Sequence, residues 1–227
     1  MIAALFDADG TLYSAHFGRG LMKYAMANGR RWYAAAYFAS LLPASLPSAL
    51  KLSDTESMDR AVISRMAWLL RGWDEARGLQ ALAWVVDEYL LPTRREHVLS
   101  RLNWHVEQGH TVLIASGAFT PSVRLLGQRL GVQDLVGTQV EIRRGRYTGR
   151  IIPPVIKGGD KLARIQAHLA DRGLQVDWPA SYAYGDSYSD REFMQLAGHP
   201  VAVHPEDRLR ALAHERQWEI LESSPAA

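Results

Sequence analysis

Two pairs of aspartates in this sequence have the type and spacing to hold a metal ion. Asp7 and Asp9 follow one short apolar run, and Asp186 and Asp190 follow another. Four carboxylates brought to one place repel each other, and a hard cation with oxygen ligands removes that repulsion. Mg²⁺ held by a few carboxylates and a substrate phosphate is the common solution. The sequence therefore predicts a Mg²⁺ site, with these candidate ligands: Asp7, Asp9, Asp186 and Asp190.

The elements that must position these residues alternate between strand and helix. Apolar runs predict strands at 1–5, 111–115, 181–184 and 200–203, and helical patterns fall at 94–108, 121–130, 161–172 and 190–197. This alternation is typical of a parallel α/β sheet with right-handed crossovers. Ligands bind at the carboxyl ends of the strands in such a sheet. Ser116 and Gly117, which end the second strand, are therefore expected beside the aspartates.

Residues 14–92 do not fit that alternation, because they contain no convincing strand pattern. They predict helices at 18–28, 31–42, 53–71 and 74–91, and Ser53 with Glu56 has the spacing of a capping box. The predicted organisation is a core formed by 1–13 and 93–227, with 14–92 inserted as a helical cap. Within the core, 139–152 predicts a β-hairpin.

Composition excludes several classes of protein. The chain has 227 residues, with 26 basic and 24 acidic side chains and no cysteine. The lack of cysteine excludes a disulfide scaffold, thiolate zinc sites and a cysteine nucleophile. A net charge of +2 gives little attraction for nucleic acid, so no nucleic-acid partner is expected. No charged n-region precedes an apolar stretch at the N-terminus, so we expect a cytoplasmic protein.

One segment leaves a question about membranes open. The chain is uncharged from Trp32 to Leu50, with Arg30, Arg31 and Lys51 at its ends. Pro43 and Pro47 interrupt the run, so stable insertion as a spanning helix is not expected. We predict a helix to Leu42 followed by a loop rich in proline and serine. Association of this segment with a membrane surface remains an alternative.

The motifs resemble those of the haloacid dehalogenase superfamily of hydrolases. In order, they are Asp7-x-Asp9-Gly10-Thr11-Leu12, Ser116-Gly117, Lys161 and Gly185-Asp186-x-x-x-Asp190. The chain is most similar to the phosphoserine-phosphatase-like branch (subfamily IB), which carries a helical C1-type cap between the first two motifs. Thr148-Gly149 and the segment 65–70 are further matches. The resemblance covers essentially the whole chain and implies a Rossmann-like parallel core with an all-helical cap.

The resemblance also implies roles for the motif residues. Asp7 would be the nucleophile that forms an aspartyl-phosphate. Asp9 would protonate the leaving oxygen and then deprotonate the hydrolytic water. Asp7, Asp186 and the backbone carbonyl of Asp9 would hold Mg²⁺, and Asp190 would orient the metal's waters or the lysine.

The phosphoryl oxygens would be held by a second group of residues. The candidates are Ser116, the Gly117 amide, Lys161 and the hydroxyl of Thr11. Lys157 competes with Lys161 for the lysine role, but Lys161 opens the predicted helix at 161–172 and lies at the family's distance before the fourth motif.

The substrate is less clear than the chemistry. Phosphoserine enzymes of this branch carry a glutamate where this chain has His16, and a histidine does not supply a dependable negative charge. His16 and Arg65 are the candidate substrate-binding residues. We expect a phosphatase for a small organic phosphate monoester, such as histidinol phosphate. Alternatives are a lipid-phosphate phosphatase at the membrane surface, a phosphotransferase, and a catalytically silent binding protein.

Overall fold

The computed structural model of the protein describes residues 1–49 and 55–222, and for 42–49 and Thr55 it describes the backbone alone. The strands are β1 (Ala3–Phe6), β2 (Thr111–Phe119), β3 (Asp134–Arg143), β4 (Arg146–Ile152), β5 (Tyr182–Gly185), β6 (His199–Val203) and β7 (Glu219–Leu221). They form one sheet in the order β4-β3-β2-β1-β5-β6-β7. Only the β3–β4 pair is antiparallel. The predicted α/β fold class is confirmed.

Strand β1 lies at the centre of the sheet and is buried on both faces. Ala4 and Phe6 pack into the hydrophobic cluster on one face, and Ala3 and Leu5 pack into the cluster on the other. This alternation follows from the two-residue period of a strand. A strand that is covered on both faces has a nearly continuous apolar sequence. For this reason β1 could be predicted from the sequence.

The helices that follow β2 cover the sheet and connect its strands. They are α6 (Thr120–Leu130), α7 (Gly159–Asp171), α8 (Arg191–Met194) and α9 (Asp207–Arg216). The hairpin predicted at 139–152 is part of a longer structure, because β3 begins at Asp134 and pairs parallel to β2 before it turns into β4. Helix α9 and strand β7 were not predicted, since α9 is largely polar and β7 is a short edge strand.

Helices also fill the chain between β1 and β2. They are α1 (Phe17–Ala27), α2 (Arg31–Ala49), α3 (Thr55–Met66), α4 (Glu75–Trp84) and α5 (Glu96–Glu107). Short 3₁₀ segments follow α3 at Ala67–Leu70 and precede α5 at Leu91–Thr93, and Val85–Leu90 continues α4 as a π-helix. The described part of this region contains no strand. Ser53 of the predicted capping box lies outside the described residues.

The prediction that a loop follows Leu42 is wrong, because α2 continues to Ala49 through Pro43 and Pro47. Each proline removes one backbone hydrogen bond from a helix. In this chain the two prolines do not end α2. No helix in the described ranges is both long and apolar enough to cross a membrane.

Candidate active site

Parallel pairing brings the ends of β1, β2 and β5 to one edge of the sheet. Phe6 is level with Ile114 of β2 and with Tyr184 of β5. The rings of Phe6 and Tyr184 stack with their centroids 4.3 Å apart, and the Asp7 amide donates to the Tyr184 carbonyl at 2.9 Å. Asp7 is therefore fixed beside the end of β5 and beside the part of β2 that follows Ile114, where the pairing of β2 with β3 shifts register between Ala115 and Phe119. The chain reverses its strand order around β1, which is where open α/β sheets bind ligands.

Lys161 joins two of the aspartates at the centre of this edge. Its ammonium lies 2.6 Å from Asp7 Oδ1 and 2.6 Å from Asp190 Oδ1. All three side chains are buried. Asp190 also accepts a hydrogen bond from the Ser187 hydroxyl at 2.9 Å, which fixes the orientation of its carboxylate. One buried cation therefore neutralises part of a cluster that carries more negative charge than Lys161 supplies.

The pKa values of the cluster reflect this imbalance. Burial raises the pKa of Asp7 to about 7, and the Asp190 charge adds to the shift while Lys161 opposes it. Burial, with the charges of Asp7 and Asp190, raises the pKa of Asp186 well above its usual range. Burial alone would lower the pKa of Lys161, but the charges of Asp190 and Asp7 outweigh it and raise that pKa. Full ionisation of the aspartates therefore needs a further positive charge.

The donor set fits a divalent cation. Carboxylate oxygens of Asp7, Asp186 and Asp190 lie within 4.8 Å of one another. Hard oxygen ligands of this kind suit Mg²⁺, and the charge of a divalent ion would relieve the repulsion that raises their pKa values. The predicted ligand Asp9 does not bring its carboxylate into this group, which is compatible with its expected part through the backbone carbonyl.

The Asp9 carboxylate is held away from the aspartate cluster by two donors. The Tyr13 hydroxyl donates to Asp9 Oδ1 at 2.6 Å, and the Phe17 amide donates to Oδ2 at 2.9 Å. Burial raises the pKa of Asp9, and both hydrogen bonds oppose that shift. A carboxyl group with a raised pKa is suited to deliver and recover a proton. The sequence did not indicate the role of Tyr13, because nothing in the Asp-x-Asp motif specifies this partner.

The residues predicted to bind phosphate differ in their placement. Ser116 and Gly117 line a cavity of about 260 Å³ together with Asp7 and Lys161. Ser116 Oγ accepts a hydrogen bond from the Ala118 amide at 3.1 Å, which orients the hydroxyl.

Thr11 differs from the other phosphate-binding candidates. It is fully buried, is not among the residues that line the cavity, and directs its hydroxyl at Asp186 Oδ1 over a long 3.5 Å contact. This placement favours a role in positioning Asp186, and contact between Thr11 and phosphate stays a prediction.

The two candidate lysines occupy different environments. Lys157 pairs with Asp59 of α3 at 2.9 Å and retains 21% side-chain exposure, against 4% for Lys161. Arg60, also on α3, forms an ion pair with Asp160 at the start of α7 and donates to the Lys157 carbonyl at 3.0 Å. These contacts hold α3 against the loop that leads into α7. Lys157 therefore lies where α3 meets that loop, and Lys161 lies among the aspartates.

A second, larger cavity of about 600 Å³ opens beside the first. Both cavities are lined by Asp9 and His16. Arg65 lines neither, so its placement does not support the predicted contact with substrate. Its Nη1 atom is buried with no hydrogen-bond partner among the described residues. Burial of Tyr37 raises the pKa of its hydroxyl, and the positive charge of Arg65 offsets part of that rise.

Gly10 is the tightest point of the loop after β1, and we expect Gly10→Ala to damage the site. Gly10 has φ +85°, and a Cβ there would overlap the Asp186 carboxylate. The substitution should cost ~1–2 kcal/mol of stability from backbone strain and should also displace Asp186, so that the activity of the site falls at least about tenfold. Gly109→Ala is the matched control, because Gly109 has φ +70° and nothing within 4 Å of its Cβ position. Equal activity losses in the two variants would contradict this role for Gly10.

A family model described as haloacid dehalogenase-like hydrolase matches residues 4–195. A Mycobacterium tuberculosis protein named phosphoserine phosphatase is 30% identical over 223 residues, which are 96% of this chain and 70% of that protein. A Neisseria meningitidis protein named histidinol-phosphatase is 31% identical over 137 residues, 59% of this chain and 61% of that protein. A solved structure of a Bordetella pertussis protein with unknown function has a TM-score of 0.82 at 23% identity, covering 97% of this chain and 98% of its own. That structure supports the fold alone.

Proposed function

The chain belongs to the haloacid dehalogenase-like hydrolases, as a phosphatase of the phosphoserine-phosphatase-like branch, and we propose that it hydrolyses a small organic phosphate monoester through an aspartyl-phosphate on Asp7. The observation that carries this proposal is the buried cluster in which Lys161 lies 2.6 Å from both Asp7 and Asp190, beside Ser116 and Gly117 of β2. Carboxylates form such covalent intermediates in other enzymes.

In the first step, an Asp7 carboxylate oxygen attacks phosphorus while the bond from phosphorus to the leaving oxygen breaks. Asp9 gives its proton to that oxygen, and the product leaves as an alcohol. The raised pKa of Asp9, which burial causes, supports its protonated form at the start of this step. The phosphoryl group is then bound to Asp7.

In the second step, a water molecule attacks phosphorus and Asp9 accepts its proton. The bond between phosphorus and the Asp7 oxygen breaks, so the carboxylate is restored and inorganic phosphate is formed. Lys161, Ser116 and the Gly117 amide hold the phosphoryl oxygens in both steps, where transition-state charge is concentrated. Asp190 keeps the Lys161 ammonium in place through its 2.6 Å contact.

We propose Mg²⁺ as the cofactor, held by Asp7, Asp186 and the Asp9 carbonyl. Bound there, it would neutralise charge on the phosphoryl oxygens and lower the pKa of Asp7. We expect the metal-stripped protein to be inactive and to recover with added Mg²⁺.

Asp186→Asn changes a direct ligand and should need at least about 10-fold more Mg²⁺ for half-maximal activity, since loss of even an outer-shell partner costs about 10–100-fold in metal affinity. The control is Asp171→Asn, an exposed carboxylate at the end of α7. Full activity of the wild type in excess chelator would contradict the metal's role.

A phosphate-release screen over a metabolite panel tests the proposed activity. The panel includes p-nitrophenyl phosphate, phosphoserine and histidinol phosphate, the last because of the N. meningitidis relative. Turnover in the presence of Mg²⁺ supports the proposal. Silence across the whole panel would favour a binding protein, and phosphate transfer to an added alcohol would favour a phosphotransferase.

The domain organisation is part of the proposal. Residues 1–13 and 93–227 form the catalytic core, and 14–92 form the cap that selects the substrate. The Lys157–Asp59 pair at 2.9 Å and the Arg60–Asp160 pair support a cap that closes on the core through α3. The cytoplasmic location and the absence of a nucleic-acid partner stay predictions.

A further inference from the structure

The two cavities meet at the residue proposed as the general acid. The smaller cavity, of about 260 Å³, is lined by Asp7, Asp9 and Lys161. With the proposed roles of these residues, it binds the phosphoryl group. The larger cavity, of about 600 Å³, reaches Asp9 but not Asp7. Both are also lined by His16, Ile63 and Met66, so the two cavities adjoin along these residues.

The proposed roles of Asp7 and Asp9 indicate what the larger cavity binds. In an in-line displacement, the leaving oxygen lies opposite the nucleophile and next to the acid that protonates it. With Asp7 as nucleophile and Asp9 as acid, the leaving group extends past Asp9, away from Asp7. Because the larger cavity is lined by Asp9 and not by Asp7, we assign the leaving group to it.

The larger cavity is lined mainly by apolar side chains. Met22 and Met26 of α1, Phe38 of α2, and Val62, Ile63 and Met66 of α3 contribute to it. Met26 and Phe38 remain 46% and 58% exposed at its mouth. Covering apolar surface of this kind with an apolar ligand lowers the free energy, because it removes that surface from water. Methionine side chains can also adjust their shape to a flexible ligand chain.

The charges of the lining residues do not suit a leaving group that carries an ammonium. Among the described residues that line the larger cavity, the acidic ones are Asp9 and Asp59. Asp59 is paired with Lys157 at 2.9 Å, and Asp9 is already held by Tyr13 and Phe17. With the Lys157–Asp59 pair set aside, the remaining basic residues of the lining are Arg19 and Lys23. An amino group would therefore lack the anionic partner that its transfer from water requires.

We infer that the substrate is the phosphate monoester of an alcohol with an apolar body, which lies in the larger cavity between α1, α2 and α3. This inference rests on the proposed function, because it takes Asp7 as nucleophile and Asp9 as acid. It narrows the substrate from any small phosphate monoester to an amphiphilic one, and it disfavours phosphoserine and histidinol phosphate. The amphiphile is either free in solution or part of a lipid surface.

A series of alkyl phosphates tests the inference. With Mg²⁺ and monomeric substrates, kcat/KM should rise from ethyl to hexyl phosphate by up to about fourfold per methylene, which is the ~0.8 kcal/mol of burying one CH₂ group. Hexyl phosphate should also be preferred over phosphoserine and histidinol phosphate. A wild-type ratio of hexyl to ethyl kcat/KM near one would overturn the inference.

Substitutions locate the effect in the larger cavity. Met22→Glu places a carboxylate among the apolar side chains and should lower the hexyl-to-ethyl ratio toward one. Ala27→Glu adds the same charge to an exposed site on α1 outside the cavity and should keep the wild-type ratio. If Met22→Glu does not fold, Val62→Thr, which keeps the side-chain volume and adds a hydroxyl, should lower the ratio by a smaller factor. A wild-type ratio in the folded cavity variants would overturn the assignment.

Two further arms separate the remaining outcomes. Phosphatidate in phosphatidylcholine vesicles, compared with monomeric hexyl phosphate, distinguishes a lipid source from a free amphiphile: faster turnover of the vesicle substrate indicates the lipid, and slower turnover indicates the free amphiphile. If the alkyl phosphates, p-nitrophenyl phosphate, phosphoserine, histidinol phosphate and vesicle phosphatidate all fail to release phosphate, the proposed function itself is wrong. If phosphate is released but ethyl and hexyl phosphates react at the same kcat/KM, only the substrate inference is wrong.

Discussion

Asp7→Asn is expected to reduce phosphate release by about 10⁴-fold or more while leaving the melting temperature close to that of the wild type. An amide oxygen is a poor nucleophile, and loss of a covalent nucleophile has effects of this size in other hydrolases. Stability should be retained because burial already raises the pKa of Asp7 to about 7, so a neutral side chain is readily accommodated there. Lys161 also keeps Asp190 as its partner.

Steady-state kinetics and thermal unfolding of the same preparation check this expectation. Asp207→Asn, which changes an exposed carboxylate at the start of α9, is the matched control and should keep the wild-type rate. Wild-type turnover in Asp7→Asn would refute the nucleophile. A folded but inactive Asp207→Asn would show that loss of activity is not specific to the site.

Lys161→Met is expected to affect both stability and activity. Removing the cation leaves Asp7, Asp186 and Asp190 facing one another in a buried place, and breaking a buried ion pair by removing one partner costs ~3–5 kcal/mol. Added Mg²⁺ should restore part of this stability, since it supplies positive charge to the same carboxylates. Activity should fall by at least about 10²-fold, as for the loss of one electrostatic stabiliser of a transition state.

Chemical unfolding with and without Mg²⁺ measures the stability part of this prediction. Lys157→Met is the control, because Lys157 pairs with a 40% exposed Asp59 and such pairs contribute only ~0–1 kcal/mol. Equal losses of stability in the two lysine variants, or no effect of Mg²⁺ on Lys161→Met, would contradict the described cluster.

Much of the core could be predicted from the sequence because its signals are local. The buried strand β1 is an apolar run that stops at Asp7, and the apolar run of β2 likewise stops before Ser116. Parallel pairing then brings these two points together. The predicted end of β2 was too early, because the strand continues through Ser116 and Gly117 to Phe119. The edge strand β7 was harder to predict from the sequence, because it has three residues and lacks a periodic pattern. The course of α2 beyond Leu42 was predicted wrongly, because proline was given more weight than the helix formers around it.

The candidate site was predictable to the level of residue type and less so to the level of contacts. Spacing pointed to Lys161 over Lys157, and the structure finds Lys161 among the aspartates. Residue spacing did not indicate that Tyr13 would donate a hydrogen bond to Asp9, since this contact depends on how the short loop between them folds back. Thr11 shows the converse, because a motif residue assigned to phosphate is buried against Asp186.

The larger cavity could not be predicted at all. Its lining comes from α1, α2 and α3, whose apolar residues have the same spacing whether they pack against each other or leave a gap. Hydrophobic periodicity reports which face of a helix is buried. It does not report how closely two such faces approach, and the volume between them depends on that distance.

The stereochemical course at phosphorus tests the covalent intermediate most directly. Wild-type protein with Mg²⁺ would hydrolyse a phosphorothioate monoester, in which sulfur replaces one oxygen and two different oxygen isotopes make phosphorus chiral. The reaction would be run in water carrying the third oxygen isotope, and the configuration of the released thiophosphate would then be determined. Transfer to Asp7 and then to water is two in-line displacements, each of which inverts phosphorus, so we expect net retention. Net inversion would show that water attacks the substrate directly, and it would contradict an aspartyl-phosphate on Asp7.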